Sequence, residues 1–271
     1  MDAASVDAYL ERIAAGRPAA PDAAALRDLQ RRHLIAVPFE NLSIHLGQDV
    51  VLAEEALLGK IVHDRRGGFC YELNGAFAAL LTALGYRVGL LAARVFTEEG
   101  HPGVPYDHLA LHVRDADGGA WLADAGFGRH STYPLSLDDA GDQHDPGGTF
   151  RVTPTAEGDL DVLRDGRPQY RVEQRPRALA DFETGAWWHR TSPRSHFTRS
   201  LVCSRLTEDG GRLTLSGRTL VTTGPDGRRE EHALTADEVL DAYRAHFALD
   251  LPREPVLARP APGPGTGQAE A

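Results

Sequence analysis

The chain has 271 residues, 39 of them acidic and 29 basic, and a formal net charge of −10. This length suffices for a substantial buried core, and 42% hydrophobic with 25% charged residues is ordinary for a globular protein. The negative charge without a long basic run argues against nucleic-acid binding, which depends on neutralising phosphates.

Membrane and secretory classes are also disfavoured by the sequence. We find no run of about 20 apolar residues that predicts a membrane span. The acidic, amphipathic first segment lacks the features of a signal peptide. Two cysteines are too few for a disulfide framework or a four-cysteine zinc site. We therefore expect a cytoplasmic protein.

The first third of the chain has the apolar spacing of amphipathic helices. This spacing predicts helices over about residues 6–13, 22–33, 53–62 and 69–84. From residue 88 onward, alternating segments between Gly- and Asp-rich turns predict strands. The predicted strands are 88–96, 108–114, 120–124, 149–152, 160–163, 170–172, 200–206, 212–216 and 219–223. A last helix over 235–246 starts with the capping box of Thr235 and Glu238, and the whole order favours an α+β fold.

Residues 65–74, RRGGFCYELN, carry the most informative motif. Gly67 and Gly68 allow a tight turn into the predicted helix, so that Cys70 lies in its first turn. The partial positive charge at a helix N-terminus favours the thiolate and makes Cys70 a candidate nucleophile. The alternative is a small, buried, apolar cysteine, which is how we interpret Cys203 in its alternating apolar strand.

A nucleophilic cysteine needs a base, and the base needs an orienting group. His108 begins one predicted strand and Asp124 ends the next, with a five-residue loop between the strands. If Arg114 pairs with Ala120, His108 and Asp124 become diagonal neighbours on one face of the hairpin. A register shift of one residue would place them on opposite faces. The spacing of His108 and His112 resembles that of two zinc ligands on a helix. Because these residues lie on a predicted strand, we expect no metal site.

The segment after Asp124 is a candidate wall of the site. Gly126 and Gly128 flank Phe127, which allows the backbone to approach a ligand while Phe127 lines the pocket. The alternative is a turn that simply ends the strand.

Two further segments are candidates for support and for lining the pocket. Glu40 is a possible bidentate partner of Arg66, and the pair would fix the loop that carries Cys70. The alternative for Glu40 is a solvated side chain. Phe197, in the sequence Ser-His-Phe, lines an apolar pocket or fills the core.

Together these motifs resemble the arylamine N-acetyltransferase family of the bacterial type. The family's fingerprint is Arg-Gly-Gly, one residue, then Cys, with Glu and Asn following at two-residue steps, as found at 66–74. The PFEN box at 38–41, the strand that His108 begins, the Asp-X-Gly-Phe-Gly strand end at 124–128 and the SHF element at 195–197 also match. Ala125, where many relatives have valine, is a small departure.

The resemblance implies an α+β fold in which the first two parts form a core like that of papain-type cysteine hydrolases. The parts are a helical bundle with the nucleophile (1–87), a β-barrel with the His and Asp (88–190), an α/β lid (191–258) and a disordered tail (259–271). It also implies a catalytic triad of Cys70, His108 and Asp124. The helix start and the hairpin register point to the same three residues.

The reaction implied by the resemblance is a ping-pong transfer of acetyl from acetyl-coenzyme A (CoA), with no metal. Cys70 would be acetylated first, and an arylamine or arylhydrazine nitrogen, or a hydroxylamine oxygen, would then accept the group, as in xenobiotic metabolism. The candidates for holding the flat acceptor are Phe39, Phe127 and Phe197. The candidates for binding the phosphates of CoA are the backbone N–H groups around Gly126 and Gly128, together with Arg129.

Three other functions remain open at this point. An amide synthase of ansamycin-type biosynthesis resembles the same family, keeps the triad and would close a macrolactam from a carrier-bound chain. A thiol hydrolase or transglutaminase-like enzyme would use the triad on peptide amides. A binding module with a relic triad is the non-enzymatic alternative. The sequence does not fix the acceptor, the acyl chain length or the oligomeric state.

Overall fold

The computed structural model describes residues 1–257, so the tail predicted to be disordered lies outside the described residues. The first part of the chain is helical, as predicted. Its helices are α1 (Ala3–Arg12), α2 (Ala23–Ala36), α3 (Leu42–Leu46), α4 (Glu54–Leu58), a π-helical turn (Gly59–His63) and α5 (Cys70–Ala83). Asp2 and Asp22 cap α1 and α2 by accepting from backbone N–H groups. None of the helices described is long and apolar enough to cross a membrane.

Eight strands of the described chain form one antiparallel sheet in the order β5-β4-β3-β2-β9-β8-β7-β6. They are β2 (Arg87–Val95), β3 (His108–Arg114), β4 (Ala120–Ala123), β5 (Leu135–Ser136), β6 (Gln143–Asp145), β7 (Gly148–Pro154), β8 (Leu160–Arg164) and β9 (Arg167–Arg177). The two edges meet where the side chain of Gln143 accepts from Ser136 N at 2.7 Å and donates to Ser136 O at 2.8 Å. The sheet is therefore a nearly closed barrel.

A second antiparallel sheet joins a short strand of the helical first part to four strands of the C-terminal part. Its strands, in order, are β1 (Phe39–Glu40), β10 (Val202–Leu206), β11 (Arg212–Ser216), β12 (Thr219–Thr223) and β13 (Arg229–Ala233). The two-residue β1 pairs with β10, with Phe39 opposite Ser204. The remaining helices are a 3₁₀ turn (Leu179–Phe182), α6 (Glu183–Thr191), α7 (His196–Arg199) and α8 (Ala236–Phe247), which starts with the predicted Thr235–Glu238 capping box.

The largest core lies between the helices and one face of the barrel sheet. Leu73 and Phe77 on α5 and Leu109 and Leu111 on β3 are fully buried in it. This packing holds the N-terminus of α5 close to the start of β3, so that the helix start and the strand start meet at one end of the core. Cys203 is fully buried in a second core under the C-terminal sheet, which confirms its interpretation as an apolar cysteine.

Candidate active site

Cys70 is the first residue of α5, and the turn before it is tightly packed. A Cβ on Gly67 would lie 1.9 Å from the carbonyl oxygen of Pro38, so only glycine fits there. The Glu72 carboxylate accepts from the backbone N–H of Phe69 at 3.2 Å, which fixes the first turn of the helix. Lys60 pairs with the same carboxylate at 2.6 Å. The position of Cys70 is therefore set by backbone sterics and a buried cap.

The hairpin of β3 and β4 has the register that the sequence predicted. Arg114 pairs with Ala120, and the pairing continues to Leu111 opposite Ala123. Just beyond the last pair, His108 Nε2 lies 2.7 Å from Asp124 Oδ2, with both side chains buried. Because Asp124 occupies Nε2, the other ring nitrogen, Nδ1, is the one left to Cys70.

The electrostatic interactions within the triad favour the charged forms of His108 and Asp124. Burial alone would lower the pKa of His108, but the Asp124 carboxylate and the Cys70 sulfur outweigh it and raise the pKa to about 10. Burial would raise the pKa of Asp124, but the charge and hydrogen bond of His108 lower it to about 2. The arrangement therefore favours an imidazolium held by a carboxylate next to the sulfur, as a Cys-His-Asp nucleophile requires.

Asp124 is held by groups that the sequence reasoning did not assign. Its Oδ1 accepts from Asn74 Nδ2 at 2.9 Å and from Gly126 N at 3.0 Å, and its own N–H donates to Gln30 Oε1 at 3.1 Å. Asn74 Oδ1 also accepts from Ala125 N at 2.8 Å. Asn74 belongs to the fingerprint at 66–74, so a signal for it existed. Gln30 lies on an ordinary amphipathic helix, where nothing marks it out.

A cavity of about 880 Å³ opens over Cys70 and His108. This volume is within the range of small-molecule sites. The predicted pocket residues that line it are Phe39, Phe127, Phe197, Gly126, Gly128 and Arg129. The ring centroids of Phe39 and Phe197 are 5.9 Å apart, and Phe127 lies edge-on to His108 at 5.2 Å. Aromatic side chains therefore form much of the cavity wall, and the Cys70 sulfur and the His108 imidazole line the same cavity.

Phe197 is held in the cavity wall from both sides. Asn41 Nδ2 donates to the carbonyl oxygens of Phe197 at 3.0 Å and Ser200 at 2.7 Å. On the other side, Ser195 Oγ accepts from Phe197 N at 3.2 Å and contacts His189 Nδ1 at 3.3 Å. His189 Nε2 in turn contacts Asp107 O at 3.0 Å. Neither His189 nor Asp107 was predicted at the site.

Comparisons with known proteins agree with this geometry. The sequence model of the N-acetyltransferase family matches residues 22–256. The chain is 35% identical over 255 residues to an arylamine N-acetyltransferase of Mycolicibacterium smegmatis, covering 90% of this chain and 91% of that protein. The chain belongs to the arylamine N-acetyltransferase family.

Solved structures of the family have the same fold. The arylamine N-acetyltransferase of Salmonella typhimurium matches with a TM-score of 0.85 and 30% identity, covering 92% of both chains. That of Mycobacterium marinum in complex with CoA matches with a TM-score of 0.81 and 33% identity, covering 90% of this chain and 93% of that chain. In residues 1–257 of the present chain, no group of three or more His, Cys, Asp or Glu residues is arranged to hold a metal ion.

Behind Phe127, the barrel interior carries two buried polar rings that sequence reasoning did not identify. The Tyr170 ring lies 5.3 Å from both His108 and His130. Burial lowers the pKa of His130 to about 4, so this second histidine is neutral near pH 7. His130 is therefore not a second charged base, and its ring supports Phe127 at 4.9 Å.

The segment after β4 approaches the start of α5 closely, which gives a test of how precisely the triad must be aligned. A Cβ on Gly126 would lie 2.7 Å from Cys70 Cα and 2.8 Å from Asn74 Nδ2. Because the first of these is backbone, Gly126→Ala must move Cys70 relative to Asp124. We expect a folded variant whose kcat/KM for acetyl transfer falls by roughly 100-fold. Gly16→Ala, where a Cβ meets nothing within 4 Å, is the control, and equal activity of the two variants would contradict the argument.

The predicted pair of Glu40 and Arg66 is formed, but its geometry differs from a two-oxygen fork. Arg66 Nη2 and Nε both reach Glu40 Oε1, at 2.7 and 3.0 Å. Oε2 instead accepts from the N–H of Leu42 at 2.7 Å, so the carboxylate joins the Cys70 loop to the start of α3. Burial would raise the pKa of Glu40, but Lys60 and Arg66 lower it below its usual value.

We expect Glu40→Gln to lower the free energy of unfolding by about 3–5 kcal/mol, because Arg66 would be left as an unpaired buried charge. Urea denaturation at pH 7 measures this. Since the folded pKa of Glu40 is lowered, its contribution is present above the unfolded pKa and is lost as pH falls through the folded value. The two proteins should therefore converge in stability in acid. A loss no larger than that of Glu55→Gln, an exposed carboxylate, would contradict the role.

Proposed function

We propose that this protein transfers acetyl from acetyl-CoA to the nitrogen of arylamines or arylhydrazines, or to the oxygen of arylhydroxylamines, through an acetylated Cys70. The observation that carries the proposal is the sulfur, imidazole and carboxylate in contact at the floor of an aromatic cavity. The family membership supports the same chemistry. One relative is named an arylamine N-acetyltransferase / N-hydroxyarylamine O-acetyltransferase.

In the first step, the Cys70 sulfur attacks the thioester carbonyl carbon of acetyl-CoA. The bond from that carbon to the sulfur of CoA breaks, and the leaving thiolate takes the proton of the His108 imidazolium. In the second step, the acceptor nitrogen attacks the carbonyl carbon of the acetyl-cysteine, and the bond from that carbon to the Cys70 sulfur breaks. The nitrogen passes its proton to His108, and the released Cys70 thiolate restores the ion pair. Asp124 fixes the ring orientation and stabilises the imidazolium in both steps.

The three aromatic side chains Phe39, Phe127 and Phe197 would hold the ring of the acceptor. The predicted phosphate contacts need one adjustment. The N–H of Gly126 already donates to Asp124, which leaves Gly128 and Arg129 as the candidates for CoA.

We also propose that the chain works in three parts, as the resemblance implies. Residues 1–87 and 88–190 would form the papain-like core, because the nucleophile begins a helix, His108 begins β3 and Asp124 directly follows the adjacent strand β4. Residues 191–258 would form the lid, because the segment that carries Phe197 closes one side of the cavity.

Separate half-reactions test the proposed function. Acetyl-CoA without acceptor should release about one CoA per protein. An arylhydrazine added after removal of the donor should then take up the acetyl group from the protein and be released as its acetyl derivative. Release of CoA only when both substrates are present would contradict the two-step route. Efficient transfer from long-chain acyl thioesters would favour the macrolactam-forming amide synthase, and glutamine turnover without CoA would favour a hydrolase.

A further inference from the structure

His189, on α6, joins the segment before the catalytic histidine to the segment that carries Phe197. Its Nε2 lies 3.0 Å from the backbone oxygen of Asp107 and 3.2 Å from Oδ1 of the same residue. Its Nδ1 lies 3.3 Å from Ser195 Oγ, which also accepts from the N–H of Phe197 at 3.2 Å. Because Asp107 immediately precedes His108, one imidazole connects the start of β3 with the cavity wall that contains Phe197.

The hydrogen bonds of this link use both nitrogens of the His189 ring. Nε2 faces two acceptors on Asp107, so it carries a proton and donates it to them. In the neutral ring, Nδ1 then accepts from the hydroxyl of Ser195, whose oxygen keeps a lone pair for the N–H of Phe197. Since both nitrogens are engaged in these contacts, His189 acts as a positioning residue and not as a second base.

The link is buried and closely surrounded by rings. The side chains of His189 and Asp107 are 8% and 14% exposed, and Ser195 is fully buried. The centroid of the His189 ring lies 5.0 Å from that of Phe197 and 6.3 Å from that of Phe69, the N-cap of α5. Removing one partner of a hydrogen bond shielded from water is costly, because the other partner is left unpaired.

The two ends of the link differ in how firmly they are held. At one end, the Asp107 side chain accepts from Val95 N at 3.2 Å, and its backbone oxygen accepts from the Tyr71 hydroxyl at 3.2 Å. These partners belong to β2 and α5, which are long elements of the core. At the other end, α7 is a single turn of four residues, which is too short to be stable by itself. The position of α7 therefore depends on contacts such as the link.

We propose that His189 is a positioning residue that fixes the ring of Phe197 and so sets the width of the pocket for the acceptor. Asp107, His189 and Phe197 all line the active-site cavity, so a displacement along the link changes the space in which the acceptor is held. The inference rests on the proposed function, since it concerns acceptor binding in the same cavity.

The link should affect the two half-reactions differently. His108 is held by Asp124 through its own contact at 2.7 Å, so the attack on acetyl-CoA does not need His189. A flat acceptor with a single ring, in contrast, gains its binding from aromatic walls held at a suitable spacing. Loss of the link therefore raises the KM for a narrow acceptor and leaves the acetylation of Cys70 near its normal rate.

His189→Phe tests the link, because it keeps a ring in the aromatic contacts and removes both hydrogen bonds. We expect the KM for 4-methoxyaniline, a single-ring acceptor, to rise about tenfold in steady-state turnover. With 6-aminoquinoline, whose two fused rings suit a wider pocket, the KM should rise less than about threefold. The single-turnover release of CoA from acetyl-CoA should stay within about twofold of the wild-type rate.

Ser195→Ala interrupts the same link at its other end and keeps the inference testable if His189→Phe does not fold. Its KM for 4-methoxyaniline should rise as in His189→Phe. The double variant should lose little more than either single variant, because both changes break one link. The control is His232→Phe, the same change at an exposed position of β13 outside the cavity, which should leave all three measurements unchanged.

Three results would overturn the inference. They are an unchanged KM in both single variants, an equal rise for the two acceptors, and a release of CoA that slows in parallel with the rise in KM, as a general loosening of the site would cause. The wild type separates these results from the proposed function. Its transfer of acetyl to either amine supports that function whatever the variants do, and failure to transfer to any arylamine would contradict it.

Discussion

Cys70→Ser should fold like the wild type and lose at least about 10⁴-fold in acetyl transfer. The hydroxyl fits the space of the thiol, so packing changes little. A serine hydroxyl is a far weaker acid than a thiol, however, so His108 cannot activate it as a nucleophile in the same way. The measurement is the rate of CoA release together with the mass of intact protein. Wild-type protein with acetyl-CoA and no acceptor should gain one acetyl group, on the peptide that contains Cys70.

Cys203→Ser is the matched control, because the chain has two cysteines and this one lies in a different environment. Burial and the nearby Glu40 raise the pKa of the Cys203 thiol, so it stays protonated and unreactive. The control should retain acetylation and turnover. An acetyl group on Cys203, or normal turnover by Cys70→Ser, would show that the nucleophile is assigned wrongly.

The contact between His108 and Asp124 was predictable because its geometry is local. A five-residue loop restricts the register of β3 and β4, and the period of two then decides which side chains share a face. Arg114 opposite Ala120 is the predicted register, and the 2.7 Å contact follows from it. The start of α5 was predictable for a similar reason, since the glycine pair and Glu72 act within a few residues.

Contacts between distant parts of the chain were not predictable in this way. The two residues of β1 are too few for any periodicity, and their partner β10 lies more than 160 residues away. The same holds for Asn41, which reaches the carbonyl oxygens of Phe197 and Ser200 only because β1 and β10 are paired. Helix α3 could not be predicted either, since five residues are too few to show a clear helical periodicity in the sequence.

The polar groups around the triad are a second set of contacts that could not be predicted from the sequence. Gln30 supports Asp124 from α2, and Tyr170 contacts His108 from β9. In the sequence, both fit their local patterns as ordinary members of a helix and a strand. Their role depends on the packing of the helices against the barrel, which a pattern along one chain segment does not specify.

Asp124→Asn should lower kcat/KM by about 10⁴-fold while the protein stays folded. Oδ1 of Asp124 receives hydrogen bonds from Asn74 and from Gly126 N, so the oxygen of the new amide must take that place. Its NH₂ group then faces His108 Nε2 and donates to it. The ring proton moves to Nδ1, towards Cys70, and the imidazole no longer accepts a proton from the sulfur or the acceptor.

The pH dependence separates this effect from simple loss of packing. In the wild type, the pKa of His108 is raised from 6.5 to about 10, so its contribution to stability is fully present below pH 6.5 and is lost as pH rises towards 10. The lowered pKa of Asp124 stabilises the fold above pH 3.8, and this contribution is lost as pH falls towards 2.

In Asp124→Asn, burial becomes the dominant effect on the pKa of His108, so the imidazole should be neutral at pH 7 by NMR titration. Asp117→Asn, in the exposed turn of the same hairpin, should change neither the charge of His108 nor the turnover. An imidazolium that persists at pH 7 in Asp124→Asn, or turnover near that of the wild type, would mean that another group holds the charge of His108.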